Sequence, residues 1–67
     1  MNKIQALKRI ASLLALDTMR HRDSAKEFPM LAQNAYNAAA ANRDCAIALD
    51  IDRNYSLALE NLLRDNQ

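Results

Sequence analysis

Few residues in this chain are of a type that does chemistry, and none stands at a catalytic spacing. The candidates are His21, Cys45 and the carboxylates Asp17, Asp44, Asp50 and Asp52. A catalytic histidine needs a nucleophile and an orienting group within reach of its ring. His21 lies instead in the run Arg20-His21-Arg22-Asp23, near the end of an expected helix, where the dipole favours a cation. It reads as a solvated helix-end residue. Cys45 would need a helix N-terminus or a close cation to become a thiolate. Arg43 is near in sequence but points to another helix face, and cysteine is among the most buried residue types. Cys45 therefore reads as core filler.

Metal chemistry fares no better. One Cys and one His cannot complete a four-ligand site by themselves. Asp44, Asp50 and Asp52 bracket the end of the second expected helix. A calcium loop wants converging oxygens and a tight turn at glycine, and the chain has no Gly. The three acids read as capping and solubility residues. Asp17 sits on the edge of an apolar arc and is expected to pair with Arg20 or His21. The residues imply no cofactor, no metal and no small-molecule substrate, and no enzymatic activity is expected.

The elements that carry these residues are helices. The chain of 67 residues has thirteen Ala and ten Leu, no Gly and no Val, a helix-forming composition. Four Ile and one Thr are too few β-formers for a sheet. The spacing predicts a first helix over 3–22, opened by Asn2 as N-cap. Ile4, Leu7, Ile10, Ala11, Leu13 and Leu14 then share about half its circumference. Ser24 to Glu27 has the pattern of a capping box, while Pro29 favours a first-turn position. The second helix is expected to begin at Pro29 and to cover 29–50. It carries two apolar stripes: Leu31, Ala35, Ala38, Cys45, Ala46 and Leu49 on one side, and Tyr36, Ala40, Ile47 and Ile51 nearly opposite. A helix apolar on two sides is expected to touch two neighbours, so this helix is expected to be central. The run Ala38 to Ala41 leaves a flat patch for close helix approach. Asn42 falls within the first stripe and needs a hydrogen-bond partner if buried. The third helix covers 54–64, capped by Asp52 or Asn54. Tyr55, Ala58, Leu59, Leu62 and Leu63 form its buried face, and Leu57 points away. The tail Asp65-Asn66-Gln67 is expected to fray.

Ala41, Cys45, Ala48 and the stretch Leu49-Asp50-Ile51-Asp52-Arg53-Asn54-Tyr55 resemble the second helix and exit turn of a tetratricopeptide repeat. The resemblance covers residues 41–59. Arg53 stands where that family has proline, Cys45 replaces an aromatic, and Pro29 falls where the family's first helix carries a small residue. The resemblance implies antiparallel helices in close contact and nothing about peptide binding.

Charge is uneven. Residues 1–28 hold six Lys/Arg against three acids, and residues 29–67 hold three against five, which together give the net +1. Arg20, His21, Arg22 and Lys26 could meet phosphates, with Gln33, Asn34 and Asn37 able to read adenine. A dedicated nucleic-acid binder is usually more basic. The first helix lacks the Trp of a membrane-surface helix, and no run reaches the ~20 apolar residues of a span. The stretch Lys8 to Leu16 mimics a signal peptide faintly, without a cleavage site. One Cys suits a reducing cytoplasm.

These features predict an all-α single domain over 1–67, a three-helix hairpin or bundle completed by homodimerisation. A chain this short buries only about 60% of its unfolded surface, and disulfide and metal are both ruled out as staples. Oligomerisation is the route left. The expected role is a non-enzymatic protein–protein interaction module, an accessory or regulatory protein that binds itself and another protein. The expected interface residues are Leu13, Leu14, Tyr36, Ala40, Ile47 and Ile51. The alternative is a small nucleic-acid-binding regulator using Arg20, His21, Arg22 and Lys26. Small helical chains of this kind are often carried by phages, plasmids or other mobile elements, a prior about such chains and not a property of these residues.

Overall fold

Asn2 starts the first helix by satisfying its free backbone donors. Its side-chain oxygen accepts from the Gln5 N–H at 2.8 Å, and the Gln5 side chain accepts from the Asn2 N–H at 3.1 Å. This reciprocal box opens helix α1, Lys3–Glu27. The computed structural model describes residues 1–65. After α1 come a single 3₁₀ turn, Pro29–Leu31, then α2, Ala32–Ala48, and α3, Asp52–Asp65. The described residues contain no strand. Asp65 belongs to α3, while the fraying expected of Asn66 and Gln67 lies outside the described residues.

The first helix outruns its expected end at residue 22 by more than a turn. Nothing between Arg22 and Glu27 breaks a helix, so the Ser24–Glu27 pattern lies inside α1 and caps nothing. The break comes at Phe28 (φ −126°, ψ 89°), because a following proline disfavours the helical conformation. Pro29 then takes a first-turn position in the 3₁₀ turn, where its missing N–H costs nothing.

The packing differs from expectation in its centre. α1 packs equally on α2 and α3, while those two touch each other far less. The central helix is α1 and not α2. The reason is length: at ~1.5 Å per residue, α1 is about as long as the 39 Å molecule, so both shorter helices can lie along it. Its buried line is Ala11, Ala15, Thr18 and Met19, spaced four, three and one apart on one face. The small residues among them, Ala11, Ala15 and Thr18, let two helices approach. Ile4, Ile10 and Leu13 of the expected apolar arc stay exposed, and Leu7 and Leu14 are half-buried. The core joins Ala11 and Ala15 to Ala46, Ile51 and Tyr55, with Leu59, Leu62 and Ala58 packed on its edge. Tyr55 lies on the buried face of α3 and Leu57 points to solvent, as the helical period predicted.

The turn between α2 and α3 corrects two expectations. Asp50 adopts a left-handed φ of 60°. Its N–H bonds to the Ile47 carbonyl at 3.0 Å, and the Ile51 N–H bonds to the Ala46 carbonyl at 2.8 Å. This 5→2 and 6→1 pair is a Schellman motif, built on Asp where Gly is usual. It reverses the chain and drives Ile51 into the core, 5% exposed. Ile51 was expected on the second apolar stripe of the second helix, beside Tyr36, Ala40 and Ile47. Helical extrapolation fails there because the helix ends at Ala48. Neither Asp52 nor Asn54 caps α3 with a side-chain hydrogen bond among the described residues; Asp52 sits in its first turn, where a carboxylate favours the dipole.

A left-handed backbone costs an L-residue about 1–2 kcal/mol, least for Asn and Asp. Asp50→Gly is expected to raise the urea midpoint and Asp50→Val to lower it. The two variants should differ by roughly 1–2 kcal/mol in chemical denaturation; equal midpoints would contradict the motif.

Candidate functional site

The centre of the bundle is polar. Thr18 of α1 is the largest fully buried side chain, and it meets one residue from each other helix. The Asn42 amide of α2 donates one hydrogen to Thr18 Oγ1 at 2.9 Å and the other to Asp17 Oδ2 at 3.0 Å. The Tyr55 hydroxyl of α3 lies 2.9 Å from Thr18 Oγ1. Thr18 also lies 3.1 Å from the Leu14 carbonyl, to which its hydroxyl donates. A hydroxyl has one proton and two lone pairs. The proton goes to Leu14, so Tyr55 must be the donor to Thr18. Every valence of Thr18 is then used, and no fully buried side-chain N or O among the described residues lacks a partner.

This arrangement answers the question left by Asn42, which is buried and satisfied. It also settles Asp17, which lies 3.8 Å from His21 Nε2 and accepts from Asn42. Thr18 was not singled out from the sequence. The signal was there: it is the one polar residue on the line Ala11-Ala15-Thr18-Met19. Chemically the hub has no uncommitted proton and no open lone pair on Thr18. Cys45 is exposed, contrary to its expected place in the core. The buried face of α2 is narrow, Ala35, Asn42 and Ala46, because only α1 covers it fully. Among the described residues there is no group of three or more His, Cys, Asp or Glu that could hold a metal ion. No described helix is long and apolar enough to cross a membrane.

The four residues expected to meet phosphate do not form one patch. At ~100° per residue, Arg20 and Arg22 project about 160° apart, and His21 turns toward Asp17. Only Arg22 and Lys26 act together, on the rim of an open groove of about 420 Å³ between α1 and α2. Its floor is Ala25, Ala32, Ala35 and Ala39, and Tyr36 completes its rim. The side chains lining it include no acid.

Among the described residues, two stretches of exposed apolar side chains bear on the expected interface; Met1, Ile4, Phe28, Met30 and Leu57 are exposed elsewhere. One is the outer stripe of α2: Tyr36 (73% exposed), Ala40 and Ile47 (53% exposed), with Arg43 between them. The other runs along the flank of α1 and α2. The Asp17–Asn42 hydrogen bond sets those helices side by side in opposite directions. One turn further on, Leu13 (52% exposed) falls beside Cys45, and then Ile10 beside Leu49, both exposed. Of the expected interface set, Leu13, Tyr36, Ala40 and Ile47 are thus open. Leu14 is half-buried against the core, and Ile51 is inside it, so the expectation for Ile51 is corrected: it already packs within one chain. No family model matches the chain, and neither does a curated protein or a solved structure.

Thr18→Val keeps the shape but strands two buried donors, Tyr55 O–H and one Asn42 N–H. It should destabilise by roughly 2–4 kcal/mol. Tyr55→Phe leaves only a vacant lone pair on Thr18 and should lose about 1 kcal/mol. Urea denaturation of both variants checks the order; a larger loss for Tyr55→Phe would contradict the donor assignment.

Proposed function

We propose that this chain is a non-enzymatic helical interaction module, an accessory or regulatory protein that acts by binding protein, first of all a second copy of itself. The observation that carries the reading is surplus surface. The chain exposes 5116 Å², whereas a folded monomer of 7.5 kDa is expected to expose about 4,250 Å². The difference, roughly 900 Å², is close to the ~800 Å² each partner hides in a standard interface. It includes large apolar side chains, Leu13, Tyr36 and Ile47 among them. The all-alanine floor of the groove and the alanine-rich core explain it: small residues bring helices close but hide little oil.

The committed valences of Thr18 and the absence of a nucleophile–base pair in the sequence support a non-enzymatic role. The single exposed thiol supports a reducing, cytoplasmic setting. Binding of nucleic acid is the weaker reading, because the basic residues diverge around α1 and leave only Arg22 and Lys26 on one groove.

Sedimentation across a wide concentration range is expected to show a monomer–dimer equilibrium, with a melting temperature that rises with concentration. A monomer throughout, melting independently of concentration, overturns the proposal. Titration with a DNA duplex at low salt, where electrostatic binding is strongest, is expected to show none.

A further inference from the structure

Tyr36, Ala40, Arg43 and Ile47 succeed one another along the open face of α2 at spacings of four, three and four residues. That pattern reads the same in both directions. Its midpoint falls between Ala41, the exposed last residue of the alanine run, and Asn42, which is buried against α1. A two-fold dimer requires a self-complementary surface in which residue i meets j and j meets i. On this stripe an antiparallel copy places Tyr36 against Ile47 at both ends and Ala40 against Arg43 in the middle. We infer that the stripe is the self-association face, with α2 packed antiparallel on α2 of a second copy. The inference rests on the dimeric reading above and assigns its partner surface and register.

Three observations select this face and this occupant. Ala40, the small residue of the stripe, leaves the opposing Arg43 room to lay its stem across it and free its guanidinium at the rim. Next, the groove beside Tyr36 has an alanine floor, and the antiparallel register brings Ile47 of the second copy to its mouth. Finally, the charges complement. The groove rim carries Arg22 and Lys26, and the register carries the acidic turn of the second copy, Asp50 and Asp52, toward it. The uneven charge, positive in residues 1–28 and negative beyond, then becomes intersubunit pairing at both ends of the dimer. The surplus area of the whole chain is of the order that each partner hides in a standard interface.

Disulfide trapping tests the register. In a Cys45→Ser background, chains carrying Tyr36→Cys are mixed with chains carrying Ile47→Cys under mild oxidation. The expected result is a cross-linked heterodimer in the mixture, well above either chain alone. Cross-linking of Tyr36→Cys with itself in preference means a parallel pairing and overturns the inference. No cross-link, with dimer mass retained in sedimentation, also overturns it while leaving the dimeric reading intact. A monomeric parent chain removes both. A second measurement avoids the cysteines. Lys26→Glu is expected to weaken the dimer about tenfold, and Asp52→Lys added to it is expected to restore most of that loss. Both residues are exposed, so the folded monomer should survive. An unchanged dissociation constant for Lys26→Glu, or no restoration in the double variant, counts against the register.

Discussion

One hydroxyl oxygen ties the three helices together. Thr18 Oγ1 accepts from Asn42 on α2 and from Tyr55 on α3 and donates within its own helix, to Leu14. A buried hydrogen bond adds only about 1 kcal/mol net, but a stranded buried partner costs more. The hub therefore acts less as glue than as a selector. A sliding α2 would leave Asn42 without Thr18, and a rotated α3 would leave Tyr55 without an acceptor. In a core of alanines, which packs in several registers almost equally well, that selection decides which one forms.

The alanine core explains the rest of the molecule. Ala11, Ala15, Ala35 and Ala46 are the small buried residues that let α2 and α3 lie close on α1. Close approach shortens the distances that the hub needs. The same residues contribute little apolar area per position, and several larger side chains lie outside the packing line. Ile10, Leu13, Tyr36, Ile47 and Leu57 are all exposed. Tight centre and oily exterior are two results of one composition, and the oily exterior is where the proposed function resides.

The turn between α2 and α3 links both features. Its left-handed Asp50 sends Ile51 inward to close the core, and it leaves Asp50 and Asp52 outside as an acidic end. The long α1 places Arg22 and Lys26 at the other end of the hairpin, on the groove with Tyr36. A short chain thus has opposite charges at opposite ends of an apolar stripe, an arrangement suited to reciprocal pairing of two copies. The third helix completes the core with Tyr55, Leu59 and Leu62 and leaves the outer face of α2 free.

Much of this was legible in the residues. Composition and the absence of glycine determined an all-helical chain. The period of 3.6 placed Tyr55 inside and Tyr36, Ala40 and Ile47 on one shared stripe, because these lie within helices where angle follows number. Asn2 as a cap and Pro29 in a first turn followed from backbone chemistry alone. Wherever the period was carried past a helix end it failed: Ile51 turned inward because a left-handed residue reversed the chain before it. Residue angles also say which faces are apolar, not which neighbour covers them. That α1 is central, that Cys45 is exposed, and that Thr18 is the shared partner of Asn42 and Tyr55 depended on contacts between residues up to 37 positions apart. Local sequence sets the faces of each helix; only the packing of three rods in space decides which faces meet.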